Sequence, residues 1–217
     1  MPRFAAALLA LLLCSPVAAQ ELRPARKVEA NAVISADDPA LTITLPTSVR
    51  YVGADRWLLY DVADAELHVF VEADAARKVS RAYWIQFEAI VPAKPESTYN
   101  YDRDPATTIA GLTFNVRARF GPTDEPTRPG SDLEHLRRLL TNAGYTLPAE
   151  VMNVRLVHLP TADRRKELMI IYMEDLAPTG MKAAQLVIDG KPAPEWTVIE
   201  KDLIDRVRDN ITFTPRD

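Results

Sequence analysis

The chain has 217 residues, with 26 Lys or Arg against 30 Asp or Glu and a formal net charge of −4. That mild acidity argues against a nucleic-acid-binding role, since neutralising phosphates takes a clustered positive excess. At 47% hydrophobic residues and one cysteine, Cys14, the chain is large enough to bury a core without disulfides, so its stability has to come from packing.

Met1–Arg3 is a short positive segment, Phe4–Leu13 is an unbroken apolar run, and Val17-Ala18-Ala19 supplies the small residues that a signal peptidase reads. We expect residues 1–19 to be a cleaved signal peptide, which makes the protein exported, periplasmic or secreted, in a bacterial setting. The run is shorter than the ~20 residues of a membrane-spanning helix, and no later stretch is apolar enough, so no transmembrane segment is expected in the mature chain. Leu13 stands before Cys14 where lipid attachment needs a small residue, which argues against a lipoprotein. Removal of Arg3, the only charge in that segment, takes the net charge from −4 to −5.

Residues 20–39 are polar and alanine-rich with no sustained period, and predict a flexible arm; residues 40–217 then form a single domain. Leu41–Leu45 alternates apolar and polar residues and stops at Pro46, the pattern of a short strand. Val49–Val52 and Arg56–Tyr60 predict two more, with Gly53-Ala54-Asp55 as a hairpin turn.

The stretch Glu66–Pro92 predicts two long strands around the connection Ala73–Ser80. In the first, Leu67, Val69 and Val71 share one face and His68, Phe70 and Glu72 the other. In the second, Tyr83, Ile85 and Phe87 alternate with Trp84, Gln86 and Glu88. Both strands therefore have one mixed face, suited to a cavity or a helix cover, and a slip of one residue in the connection exchanges which faces meet.

Prolines at 92, 95 and 105 predict a loop over 93–108, with Tyr99 and Tyr101 at its tip. Leu112–Phe120 alternates as a strand with one wet face. Ser131-Asp132-Leu133-Glu134 matches a capping box and predicts a helix to Ala143, with His135 solvated. Met152–Leu159 and Glu167–Glu174 predict a second hairpin, whose apolar second arm predicts a central strand covered on both sides. A last amphipathic helix is expected over Glu195–Asn210. The fold class is α+β: a curved, mostly antiparallel sheet of about seven or eight strands with both helices packed on one face. A β-barrel with peripheral helices is the alternative.

No catalytic, metal or cofactor motif is complete. The three histidines, His68, His135 and His158, fall in no spacing that brings two nitrogens to one metal, no serine lies in a GxSxG elbow, and seven glycines include no phosphate loop. The expected function is therefore that of an exported ligand-binding protein taking a small apolar or amphiphilic molecule between sheet and helices. The ligand-binding candidates are His68, Phe70, Glu72, Tyr83, Trp84, Phe87, Glu88, Tyr99 and Tyr101, since pockets combine apolar walls with a few convergent polar groups. Two alternatives stand beside it: an envelope factor that binds a protein partner, and a hydrolase using His68 with Glu72 or Glu88.

Overall fold

The computed structural model describes residues 22–216; the expected signal peptide lies outside the described residues. In chain order these form β1 (Lys27–Glu29), β2 (Ala32–Ser35), β3 (Leu41–Thr44), β4 (Arg50–Leu59), β5 (Ala63–Ala73), β6 (Val79–Ile90), β7 (Ala106–Ile109), β8 (Leu112–Pro122) and α1 (Asp132–Asn142). There follow β9 (Glu150–His158), β10 (Lys166–Asp175), β11 (Val187–Ile188), β12 (Lys191–Pro192), α2 (Pro194–Asn210) and β13 (Thr212–Pro215).

Seven strands make an open antiparallel sheet in the order β4-β5-β6-β10-β9-β8-β7. A second sheet, β1-β2-β3-β13, packs across it, and β11 and β12 form a small hairpin. The α+β class is the expected one, and β10 is the central strand that its unbroken apolar run demands, paired on both sides by β6 and β9. Among the described residues no helix is long and apolar enough to cross a membrane.

Alternation along each strand sorts the core into two layers. Phe70, Tyr83, Ile85, Phe87, Ile170 and Tyr172 pack on one face against Val33 and Ile43 of the small sheet and Trp196, Leu203 and Val207 of α2. Leu67, Val69, Val71, Trp84 and Met169 pack on the other face against Leu136 and Leu140 of α1. The two helices, expected on one face, are thus divided between the two faces. A sheet with apolar side chains on both faces must be covered twice, and the small sheet supplies the cover that the helices alone do not.

Two further expectations are corrected. The arm over residues 20–39 contributes β1 and β2, and Val33 and Ser35 are fully buried. The predicted turn at Gly53–Asp55 is instead a register shift between Tyr51 and Gly53 within one long strand, β4, and the chain reverses at Tyr60-Asp61. Both of those residues have positive φ, 50° and 58°, as a tight hairpin turn requires.

Helix α1 starts as its capping box dictates: Ser131 Oγ accepts from the Glu134 N–H at 3.3 Å, while the Glu134 carboxylate reaches back one residue further, to the Gly130 N–H at 2.5 Å. His135, expected in solvent, is buried. Its ring stacks on Trp57 with centroids 3.9 Å apart, and its Nδ1 lies 2.7 Å from Asp55 Oδ2. This contact seats α1 over β4 and β5. The same sheet face is left open over β10, β9 and β8, and a cleft forms there.

Candidate functional site

The cleft has a volume of about 290 Å³. Its floor is Trp84 of β6 and Met169, Ile171 and Met173 of β10, and the first turn of α1 adds Asp132 and Leu133 as a wall. The far end is basic and polar: Arg119 of β8 with Asn153 and Arg155 of β9. Strand register explains this gradient. Trp84, Ile171, Arg155 and Arg117 are direct cross-strand partners in one row, and Ala82, Met173, Asn153 and Arg119 form the next. The floor therefore passes from apolar to cationic as it crosses the sheet.

Beside the cleft lies a buried polar chain. Trp84 Nε1 donates to Gln86 Oε1 at 2.7 Å, and Gln86 Nε2 donates to Glu88 Oε1 at 2.5 Å. Glu88 is paired directly across β6 and β10 with Glu167. Two like charges so placed on a buried face repel strongly. Burial, reinforced by the Asp132 carboxyl, pushes Glu88 up to about 7. Burial and Glu88 itself push Glu167 up to about 8.

The loop over residues 93–105 closes this end. Tyr99 donates to Glu88 Oε2 at 2.8 Å and Tyr101 donates to Glu167 Oε2 at 2.7 Å. Burial raises both phenols further above their ordinary range, so they remain donors. The basic turn before β10 secures the same loop: Arg165 Nη1 donates to the carbonyls of Lys94, Pro95 and Ser97. Arg155 lies over the Tyr101 ring, 5.0 Å from its centroid, which couples the loop to the cationic end of the cleft.

The sheet divides the predicted site residues. Trp84 and Glu88, with Tyr99 and Tyr101, lie on the cleft side, whereas His68, Phe70, Glu72, Tyr83 and Phe87 face the opposite layer. Phe70, Tyr83 and Phe87 are core residues there, at most 1% exposed. Glu72 accepts from Arg81 at 3.0 Å and from Ser48 at 2.8 Å. His68 Nε2 lies 2.8 Å from Glu66 Oε1, and its Nδ1 lies 3.4 Å from the Tyr51 hydroxyl.

The hydrolase pairing of His68 with Glu72 or Glu88 is therefore not formed: the carboxylate beside His68 is Glu66, Glu72 is held by a cation, and Glu88 is across the sheet. Burial, with the Glu66 charge assisting, pushes the Tyr51 phenol up to about 12, so it stays protonated at neutral pH. Among the described residues no group of three or more His, Cys, Asp or Glu is arranged to hold a metal ion.

Gln86, Asp132, Arg119, Arg155 and Glu167 were not singled out by sequence. Only Glu167 had a signal, a carboxylate entering an apolar run that belongs to a central strand. Compared with protein-family models, with curated proteins and with solved structures, the chain matches none, and the chemistry of the cleft rests on its geometry.

Proposed function

We propose that this protein is an exported binding protein that takes a small apolar or amphiphilic ligand into the cleft between the seven-stranded sheet and α1. The observation that carries the reading is the apolar floor of Trp84, Met169, Ile171 and Met173, open beside a helix end and ringed by polar groups. Ligand sites share this composition, and a volume of about 290 Å³ lies just under the ~300–1,000 Å³ range of such pockets, which suits a small ligand. The positive amino-terminal segment and apolar run support export.

The neutral dye N-phenyl-1-naphthylamine tests the cleft. Its fluorescence is expected to rise on binding and the rise to be lost in Ile171→Trp, which fills the floor with a larger ring. A folded Ile171→Trp variant that still brightens the dye as the wild type does places binding elsewhere and removes the reading.

A further inference from the structure

Arg117, Arg119 and Arg155 share one face of β8 and β9, Arg117 directly opposite Arg155. A single carboxylate serves them: Asp104 accepts from Arg155 Nη2 at 2.9 Å and lies 3.5 Å from Arg117 Nε. Arg119 makes no hydrogen bond or ion pair among the described residues, and partial burial together with its two cationic neighbours lowers its pKa. The Arg155 Nε–H is buried without a partner.

The buried Arg155 Nε–H is costly while it lacks a partner, and three guanidiniums served by one carboxylate leave a surplus of positive charge at this end of the cleft. Two other carboxylates border the cleft. Glu125 on the rim makes no ion pair with these arginines, and Asp132 stands at the opposite end, by α1.

Resting on the binding reading above, we infer that the cleft ligand is a small amphiphilic anion, a carboxylate at Arg119, Arg155 and Asn153 on an apolar body lying along Ile171 towards Trp84. The guanidinium fork matches a carboxylate in two parallel hydrogen bonds, and the Asn153 amide, direct cross-strand partner of Arg119, adds a neutral donor. From Arg155 to Trp84 the floor crosses two strand spacings, roughly 10 Å, which an eight-carbon chain spans. Asp132 at the apolar end opposes the reverse orientation, and Arg137, the cation on that wall, is taken up by the carbonyls of Thr123 and Glu125.

Octanoate and octanol differ only at the head group and decide the matter by calorimetric titration at neutral pH and low salt. Octanoate is expected to bind at least about tenfold more tightly, the scale of one charge-assisted hydrogen bond, and to weaken with added salt. Arg119→Gln replaces an exposed side chain and is expected to bring the octanoate-to-octanol affinity ratio close to one. Arg155→Gln should do the same; because Arg155 also holds Asp104, Arg119→Gln decides if that variant does not fold. Equal binding of the two probes, or an octanoate preference that survives Arg119→Gln, overturns the anion assignment while the cleft stands as a binding site. Failure of octanol, octanoate and the neutral dye alike overturns the binding reading itself.

Discussion

Raising the pH from about 5 to about 9 is expected to destabilise the protein by several kcal/mol and to lower its melting temperature by on the order of 10 °C. The cause is the Glu88–Glu167 pair. In the unfolded chain both carboxyls titrate near 4.5, whereas burial pushes Glu88 up to about 7, with Asp132 assisting, and Glu167 up to about 8, with Glu88 assisting. Between those values the folded protein holds protons that the unfolded chain has released, so each rise in pH favours unfolding. The penalty is absent well below about 4.5, grows as pH rises through the folded values, and levels off only above about 9.

The surroundings offer little relief. Asp132 from α1 is a third carboxyl whose own pKa is raised by burial, the loop presents two neutral phenols, and Arg155 is engaged by Asp104. Glu167→Gln keeps an acceptor for Tyr101 but removes one charge, so its stability should fall less steeply and exceed the wild type's at alkaline pH. Urea midpoints across this range check the expectation; identical slopes for the wild type, Glu167→Gln and Glu88→Gln would show that the pair does not control the alkaline limb.

This pair shows where sequence reading stops. The alternation of β8, the apolar run of β10 and the capping box of α1 are local, and each was legible because period and cap chemistry act within a few residues. Glu88 and Glu167 face each other only through the pairing of β6 with β10, strands separated by the 93–105 loop, β7, β8, α1 and β9. Nothing local sets that register.

The missed strands have a different cause. The reversal between β1 and β2 places Ala30 at φ 51°, and the β4–β5 turn uses Tyr60-Asp61. These turns lack the glycine that ordinarily marks a left-handed position. Tertiary pairing holds residues there against their local preference, which is why β1 and β2 read as a loose arm. The same pairing fixed His68 and Trp84 on opposite faces, a question that alternation posed and only the β5–β6 register, Val69 opposite Trp84 and His68 opposite Ile85, answered.

Glu66→Ala is expected to cost about 3–5 kcal/mol, the scale for breaking a buried ion pair from one side. Glu66, 1% exposed, accepts from the Arg26 N–H at 2.7 Å, the Ala25 N–H at 2.9 Å and Arg26 Nη1 at 3.2 Å, besides its contact with His68. Arg26 in turn lies over the Phe87 ring, 4.2 Å from its centroid. Without the carboxylate, two backbone donors and a buried histidine lose their partner, and the segment ahead of β1 loses its anchor. Trypsin should then cut after Arg26 or Lys27 faster than in the wild type, under conditions where the domain remains folded; unchanged cleavage would mean that the segment is held elsewhere.

The pH signature is opposite to that of the glutamate pair. Burial pushes the Glu66 carboxyl up, but the hydrogen bonds from His68, Ala25 and Arg26 outweigh it and hold it down at about 2. Its contribution is therefore fully present above about 4.5 and is lost as pH falls towards 2. The two faces of one sheet thus oppose each other, and stability should peak near about pH 5. Glu66→Gln should flatten the acid limb and leave the alkaline one, while Glu167→Gln does the reverse, because β-strand alternation puts the two groups on opposite sides of the sheet. Each substitution altering both limbs would mean that the faces are energetically coupled through β5 and β6.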